Sequence, residues 1–330
     1  MKLTDNQFYK DIKDLLNNAR SKVYQTINIT MTKTYFEVGK RIVEEEQGGE
    51  KRAQYGKALI QNLSKELIKD FGKGFSEQNL KNMRQFYLVY EKRQTASSEF
   101  KLSWSHYIFL TRIENIDERN FYEIEALEDA WSLRELKRQF NSGLFERLAL
   151  SKNKSKVKEL SSKGQAIEKI DDMIKDPYIL EFVGLPEVSS YSESELEQKL
   201  IDKLENFLLE LGKGFTFVSR QKRLTIDEKH FRVDLVFYNR FLKSFVIIDL
   251  KIGELKHQDI GQMMMYVNYF DRYEKTEDEN PTVGIILCKD KSKTLVELTL
   301  PKENNQIYAS KYLTVLPDKE EFKKLLEERE

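Results

Sequence analysis

The sequence has little of the chemistry that disulfide-bonded, zinc-binding or membrane proteins need. Its one cysteine, Cys288, cannot form an internal disulfide and lies in the apolar run VGIILCK, a pattern typical of a buried strand. The three histidines are scattered, with neither zinc-ligand spacing nor a Cys–His pair. No apolar run is long enough to span a bilayer, and the amino terminus has no apolar signal core. We therefore expect a cytoplasmic protein without a membrane partner, a zinc site or a cysteine nucleophile.

Neither sign of charge is in excess, since Lys and Arg together number 55 and Asp and Glu together also number 55. The overall charge therefore does not point to a nucleic-acid or membrane partner. The distribution is uneven, however, because the segment from Tyr55 to Arg93 holds eight basic and four acidic residues. With 330 residues, the chain is long enough for two domains of ordinary size.

Hydrophobic periodicity predicts two domains of different class. Residues 1–150 repeat apolar positions at helical spacing and are expected to be mainly α-helical. Residues 151–176 are rich in Lys and Ser and poor in large apolar residues, which is typical of a linker. Residues 177–330 combine short β-rich runs with helices at about 193–211 and 258–273, which predicts an α/β domain with a mixed sheet.

A pair of predicted helices around DFGKGFSEQNLKNMRQFYLVY resembles a helix-turn-helix. Ser76 is a natural N-cap of the second helix, and apolar and aromatic side chains line one of its sides. Lys81 and Arg84 lie on other faces, where such residues can meet phosphates and base edges. A plain helical hairpin with a solvated basic face explains the same pattern, so both interpretations stay open.

Two apolar runs in FRVDLVFYNRFLKSFVIIDLK, residues 231–251, each carry a carboxylate. Because side chains alternate across a strand, Asp249 and Lys251 are expected side by side on one face. The same alternation divides the first run into two faces, with Phe231, Val233, Leu235 and Phe237 on one and Arg232, Asp234, Val236 and Tyr238 on the other.

The short connection NRFLKS predicts a hairpin between these runs. If the turn is centred on residues 241 and 242, Asp234 lies opposite Asp249, about 5 Å away at Cβ. Two carboxylates that close repel each other unless a cation lies between them, and oxygen ligands of this kind suit Mg²⁺ or Mn²⁺. A buried Asp249–Lys251 ion pair beside an unrelated acid is the alternative. The convergence of two acids and a lysine favours the metal site.

A third carboxylate is expected from the helix that precedes these strands. Glu197 falls within the arc of its apolar stripe, and a buried acid there needs a partner. Ser194 and Glu197 could instead form a capping box, but Ser192 and Glu195 fit such a box equally well. Glu193 also points inward and is the alternative third acid.

The predicted helix that follows the Asp-x-Lys strand carries two stripes. Its apolar side suits packing on the sheet, whereas Gln262, Tyr266, Tyr269 and Tyr273 form a stripe of amide and phenol groups. This second stripe could contact a phosphodiester or stack on a base. The edge of a half-buried helix is the alternative interpretation.

These residues resemble the PD-(D/E)xK nuclease superfamily. Its motif, an acid on one strand and (D/E)-x-K on the next, is matched by Asp234 and by Asp249-Leu250-Lys251, although Val233 stands where proline is usual. Gln262 and Tyr266 look like the Q-x-x-x-Y motif of the RecB-like branch.

Longer segments in both halves of the chain resemble the YhcG-type family of that superfamily. They are KDPYILEFVGLPE, LIDKLENFLLELGKGFTFVSRQ and GQMMMYVNYF in the second half, and LSWSHY and WSLRELKRQFNSGLFERL in the first. The resemblance implies a restriction-endonuclease-like mixed sheet flanked by helices in residues 177–330. It also implies a helical, helix-turn-helix-like and DNA-binding first domain.

The resemblance further implies a nuclease that depends on Mg²⁺ or Mn²⁺. The expected metal ligands are Asp234, Asp249, Glu197 and the backbone carbonyl of Leu250. Lys251 is expected to stay protonated among these acids and to act electrostatically rather than as a general base. The expected nucleic-acid contacts are Gln262, Tyr266, Arg220, Gln221, Lys81 and Arg84.

DNA is the expected substrate, in restriction, genome defence or DNA processing, and RNA, including tRNA, is an alternative. A DNA-binding adaptor without turnover, acting within a restriction or repair complex, is the alternative from another class. A purely structural helical oligomer would leave the acid–acid–lysine set unexplained. Many enzymes of the superfamily cut duplexes as dimers, so the resemblance is compatible with a homo-oligomer.

Overall fold

The computed structural model describes residues 7–48, 53–91, 100–150, 154–165, 167, 169–186, 191–316, 318–321 and 324. The chain forms two compact units, Met1–Leu136 and Lys137–Glu330. Among the described residues, no helix combines the length and the apolar composition that a membrane span requires.

The first unit is helical, as the apolar periodicity predicts. Its helices, the last of which continues into the second unit, are α1 (Gln7–Gly48), α2 (Ala53–Phe71), α3 (Glu77–Tyr90), α4 (Trp104–Leu110), α5 (Ile116–Glu128) and α6 (Leu133–Asn141). Ser76 caps α3 as predicted, because its side-chain oxygen accepts a hydrogen bond from the Asn79 backbone N–H at 3.3 Å. Helix α3 packs closely on α1, where a Cβ at Gly39 would lie 2.1 Å from the Met83 carbonyl oxygen.

The second unit contains a six-stranded mixed sheet, which confirms the predicted α/β class. Its strands are β1 (Tyr178–Ile179), β2 (Phe215–Ile226), β3 (Lys229–Asn239), β4 (Ser244–Glu254), β5 (Val283–Asp290) and β6 (Ile307–Leu313). The strand order is β1-β6-β5-β4-β3-β2. Strands β2, β3 and β4 pair antiparallel, whereas β4, β5, β6 and β1 pair parallel.

Helices cover both faces of this sheet and bury one apolar core on each side. The helices of the unit are α7 (Leu144–Leu150), α8 (Lys154–Lys163), α9 (Glu193–Asp202), α10 (Leu204–Leu211), α11 (His257–Tyr273) and α12 (Lys293–Thr299). On one face, Leu196 of α9 and Phe207 of α10 pack with Ile248 of β4. On the other, Met263 of α11 packs with Ile247 of β4. Strand β4 is therefore buried on both faces, as its nearly continuous apolar run requires.

The two compact units divide within α6, ahead of the linker predicted at residues 151–176. Helix α8 occupies part of that segment, and Lys175 within it is buried. Arg147, near the end of the predicted first domain, is fully buried and donates to Glu210 of α10 at 2.6 Å and to the Pro177 carbonyl at 3.0 Å. Because Lys and Arg side chains are usually exposed, a segment rich in them is predicted to be a solvated linker. In the structure, Lys175 and Arg147 are instead buried and paired.

The helix predicted over residues 193–211 is divided into two. Lys203, between α9 and α10, has φ −120° and ψ 33°, outside the helical range. Both segments still bury the same apolar stripe against the sheet, which is why the periodicity alone predicts one continuous helix.

Candidate active site

The β3–β4 hairpin has the register that the sequence predicts. Leu235 pairs with Ile248 and Asn239 with Ser244, which corresponds to a turn centred on residues 241 and 242. One step beyond the last regular pair, this register sets Asp234 opposite Asp249. There the Asp234 carboxylate, rather than a backbone carbonyl, accepts a hydrogen bond from the Leu250 backbone N–H, at 2.9 Å to Oδ2. The first acid is thereby bonded to the strand that carries the second.

The predicted alternation along β3 fails at Asp234. Val233 packs in the core that contains Val236, whereas Leu235 lies in the core on the opposite face, so Val233 and Leu235 do not share a side. Opposite this break, Gln221 of β2 has a left-handed backbone with φ 48°. Pairing is regular on either side of it, and the local irregularity turns the side chains of both strands. A sequence pattern with a strict period of two contains no sign of such a break.

Asp249 and Lys251 lie side by side on β4. Lys251 Nζ is 2.7 Å from Asp249 Oδ2 and 3.8 Å from Glu193 Oε2. Asp249 is 3% exposed. The Lys251 ammonium is the ion-pair partner of Asp249 Oδ2, and no other donor among the described residues bonds this buried oxygen. A buried carboxylate oxygen in this state is a ready ligand for a cation.

Burial and charge shift the pKa values of both groups. Burial, and then the charge of Asp234, raise the pKa of Asp249 well above its ordinary range, against the opposing effect of Lys251. Burial alone would lower the pKa of Lys251, but the charges of Asp249, Glu193 and Asp234 outweigh it and raise that pKa. Asp249 is the more buried partner, so desolvation dominates its pKa, while Lys251 stays protonated at neutral pH.

Glu197 is directed to the site because another acid caps its helix. Ser192 and Glu195 form the capping box at the start of α9, with bonds of 3.1 and 2.8 Å between each side chain and the other residue's backbone N–H. Glu197 is left free to face the sheet, where it is 8% exposed and accepts a hydrogen bond from Gln221 Nε2 at 2.5 Å. Burial raises the pKa of Glu197, although the bond from Gln221 opposes this shift. Glu193, the alternative acid, is exposed and faces Lys251.

Gln221 lies between two of the acids, where the sequence predicts a phosphate contact. Its Nε2 donates to Glu197 Oε2 and also to Asp234 Oδ1, at 3.2 Å. The sequence did not predict this bridging position, because the position depends on a left-handed backbone conformation that no residue pattern indicates. Arg220 is exposed and donates to Gln198 Oε1 at 2.9 Å.

Tyr266 lies inside the protein, not on the surface stripe expected from the sequence. Its side chain is fully buried, and its hydroxyl donates to the Arg232 carbonyl at 2.8 Å and accepts from Gln262 Nε2 at 2.6 Å. Burial, and then the charge of Asp249, raise the pKa of the Tyr266 phenol, so this ring lies close to the acids. In this structure the hydroxyl bonds the backbone of β3 two residues before Asp234. Tyr273 of the same stripe is 72% exposed.

The donors at the site suit a divalent cation, but they are not gathered around one. Within the described part of the chain, no three His, Cys, Asp or Glu side chains converge on a single metal position. The Lys251 ammonium stands beside Asp249, and the Gln221 amide stands between Glu197 and Asp234. Carboxylate oxygens are the ligands that Mg²⁺ and Mn²⁺ prefer, and the buried Asp249 Oδ2, whose partner is the Lys251 ammonium, fits that chemistry.

A mixed sheet with flanking helices, an acid on one strand and Asp-x-Lys on the next defines a nuclease domain of the PD-(D/E)xK class. In agreement, residues 171–327 match the family described as the YhcG PDDEXK nuclease domain, and residues 11–147 match the DUF1016 N-terminal domain. Over 342 aligned positions, the chain is 40% identical to YhcG of Escherichia coli (strain K12), with 94% of this chain and 91% of that protein covered. The chain belongs to the YhcG family.

Two solved structures are similar to part of the chain. A repair endonuclease from Pyrococcus abyssi aligns at 19% identity and a TM-score of 0.27, over 39% of this chain and 50% of that chain. The apo form of EndoMS aligns at 16% identity and a TM-score of 0.25, over 39% of this chain and 48% of that chain. The fold assignment rests on the sheet topology and the family match.

Proposed function

We propose that this protein is a metal-dependent endonuclease that hydrolyses phosphodiester bonds in DNA. The observation that carries the proposal is the ion pair of 2.7 Å between Lys251 and the buried Asp249, with Asp234 bonded to the backbone of the same strand at Leu250. Two acids and a protonated lysine on adjacent strands supply both a cation site and a positive charge for a phosphate.

Asp234, Asp249, Glu197 and the backbone carbonyl of Leu250 would hold Mg²⁺ or Mn²⁺. When bound, the ion would lower the pKa of a water molecule and stabilise the negative charge that develops on the phosphorus oxygens. Glu197 would act directly or through a water molecule, since Gln221 separates it from Asp234.

Lys251 would neutralise the developing charge or orient the attacking water. The acids around it raise the pKa of Lys251, which favours a protonated ammonium and an electrostatic role over that of a general base. The side chain is 17% exposed, so the charge acts at the boundary of the protein interior, where screening by water is weak.

Nucleic acid would approach over exposed polar groups around these acids and on α3. Gln262 and Arg220 would contact the strand near the acids, whereas Tyr266 would position β3 from below. On α3, Lys81 is exposed and its ammonium lies 4.0 Å from the Glu77 carboxylate, which is too far for a hydrogen bond. Arg84, by contrast, is paired with Glu46 of α1 at 2.6 Å. Lys81 is therefore the stronger candidate for a phosphate contact.

We place this activity in the cytoplasm, in restriction, genome defence or DNA processing, and include restriction or repair proteins as partners. Exposed apolar side chains on the first half of α1, such as Ile12, Leu15 and Val23, support self-association.

The test is a cleavage assay on linear, supercoiled and branched DNA, and on RNA including tRNA, with Mg²⁺ or Mn²⁺. We expect the wild type to cut DNA only with metal, and an Asp249→Ala, Lys251→Ala double variant to be inactive. A Glu254→Ala, Lys256→Ala variant has the same acid-x-Lys spacing at exposed positions and should stay active. Identical behaviour of the wild type and the first variant would reject the nuclease. Binding without cleavage would support the adaptor, and cleavage of RNA alone would support the RNA nuclease.

A further inference from the structure

The amide of Gln221 fills the space between two acids of the candidate metal site. Its Nε2 is 2.5 Å from Glu197 Oε2 and 3.2 Å from Asp234 Oδ1. A side-chain amide has two N–H donors on one nitrogen, so a single Gln can bond one oxygen of each carboxylate. This is the bridging position that a cation shared by Glu197 and Asp234 would take.

Every acid of the site is bonded to a donor of the chain itself. The Lys251 ammonium meets Asp249, the Leu250 backbone N–H bonds Asp234, and Gln221 bonds both Asp234 and Glu197. Carboxylates that face each other in a partly buried site repel unless such donors separate them. Lys251 is on the same strand as its partner Asp249, and the Leu250 backbone N–H of β4 reaches Asp234 across the β3–β4 pairing. Gln221 lies on another strand, between two ligands.

The backbone of Gln221 is in a conformation that side-chain-bearing residues seldom adopt. Its φ is 48°, while its neighbours Arg220 and Lys222 pair regularly with β3. Arg220 is directed toward Gln198 of α9, and Lys222 toward Glu274 next to α11, on the opposite face. The left-handed residue between them directs the amide at the acids. An observed outlier at such a place indicates a functional constraint.

We propose that Gln221 is a positioning residue that holds the metal-free site together, and that a divalent cation displaces its amide from Glu197 and Asp234. This inference rests on the proposed function, because it requires these acids to bind the ion. It replaces the phosphate contact expected from the sequence with a role inside the site.

The inference predicts opposite effects on the two states of the protein. Removing the amide leaves Glu197 and Asp234 facing each other without their shared donor, so the metal-free protein is destabilised. The metal-bound protein has already lost that bond and is little affected. A Gln221→Leu variant should therefore unfold at a lower temperature without metal and bind Mn²⁺ about 3- to 10-fold more tightly, as expected for the loss of one competing hydrogen bond.

The experiment is calorimetric titration of Mn²⁺ into the full-length, metal-free protein, together with thermal unfolding with and without Mn²⁺. Gln198→Leu is the matched control. Gln198 is an exposed glutamine on α9 that bonds Asp202 and Arg220 but none of the acids of the candidate metal site. Its Mn²⁺ affinity should equal that of the wild type. Gln221→Asn is the second variant, since Asn tolerates a left-handed backbone but is too short to bridge both acids, and should show the same tightening.

Each result bears on a different claim. Unchanged or weaker Mn²⁺ binding by Gln221→Leu and Gln221→Asn overturns the role of Gln221. If the wild type binds Mn²⁺ and Asp249→Ala does not, the proposed metal site still stands in that case. If the wild type binds no Mn²⁺, the proposed metal site and the role of Gln221 fail together. If Gln221→Leu does not fold, Gln221→Asn decides the question by the same criteria.

Discussion

The Tyr266 hydroxyl of α11 makes two hydrogen bonds inside the protein, one to β3 and one within its own helix. It donates to the Arg232 carbonyl and accepts from Gln262, and its ring is fully buried. Arg232 precedes Asp234 by two residues, so this contact fixes the backbone just before the first acid. Residues four apart lie on the same helix face, so the Q-x-x-x-Y spacing lets Gln262 bond Tyr266 while Tyr266 bonds the backbone near Asp234.

A Tyr266→Phe variant tests this role. The change removes the hydroxyl that bonds the Arg232 carbonyl, so we expect the free energy of unfolding to fall by about 1 kcal/mol. Urea unfolding measures the loss, and Tyr273→Phe, at an exposed position of the same helix, should change it little. DNA affinity should stay the same. A fall in DNA affinity at unchanged stability would show instead that Tyr266 contacts the nucleic acid.

At the residue scale, the sequence predicts those side-chain contacts that follow from the geometry of a single strand. Asp249 and Lys251 are two apart on a strand, and the ion pair follows from that period. For Glu197 the sequence left open a capping role, and the Ser192–Glu195 capping box shows that another acid fills that role. The place of Gln221 could not be predicted, because a positive φ at a non-glycine residue results from the tertiary packing around it.

Helices α7 and α10 are joined by a buried ion pair between Arg147 and Glu210. Both side chains are fully buried, and Glu210 also accepts from the Ile179 backbone N–H of β1 at 3.0 Å. Burial alone would raise the pKa of Glu210, but the charges of Arg147, Lys175 and Arg138 lower it from 4.5 to about 2. The pair therefore holds α7 and α10 together next to β1, where the chain first joins the sheet.

This pair predicts a specific loss of stability in acid. Because the folded pKa of Glu210 is depressed, its contribution is complete above the ordinary pKa of 4.5 and is lost as the pH falls from there toward about 2. Glu210→Gln should cost about 3–5 kcal/mol at neutral pH, since it leaves Arg147 buried without a counter-charge. It should also flatten the pH dependence between about 5 and 2.

Urea unfolding at a series of pH values checks both effects. Glu159→Gln is the control, because Glu159 pairs with Lys163 on an exposed helix surface and should have a small effect. An acid transition of Glu210→Gln as steep as that of the wild type would contradict the assignment to Glu210.

At the scale of elements, the sequence predicts the hairpin, its register and the helical or strand type of most segments. These follow from short-range patterns, namely the turn length between β3 and β4 and the apolar stripes of α9 and α11. It does not predict the break at Lys203 or the change of face at Val233. Both depend on how the element meets its neighbours, since the apolar pattern continues through each.

The second compact unit begins within α6, ahead of residue 177, where the sequence predicts the start of the nuclease domain. Arg138, Arg147 and Lys175 all precede that residue and all surround Glu210. A chain that began at residue 177 would keep the sheet and the candidate site but would lose every one of these cations.

Two fragments test this division. We expect residues 137–330 to unfold cooperatively on their own, and residues 177–330 to be less stable by about 3–5 kcal/mol because Glu210 loses its three counter-charges. Circular dichroism during thermal unfolding at neutral pH measures the difference. Glu210→Leu in the shorter fragment should recover part of the loss, since it removes the unpaired charge. Equal stability of the two fragments would contradict a unit that begins in α6.

The sequence by itself determined the local chemistry of this protein. Helical and strand periods, the centred hairpin turn and the Asp-x-Lys spacing act over a few residues. The turn was enough to set Asp234 opposite Asp249, and the strand period was enough to set Lys251 beside Asp249. Only the tertiary structure decided that Glu197 would face the sheet, where Gln221 and Tyr266 would point, and where one compact unit ends and the next begins. Those outcomes depend on contacts between segments far apart in the chain, such as Glu197 with Gln221 and Arg147 with Glu210, whose energies no local pattern contains.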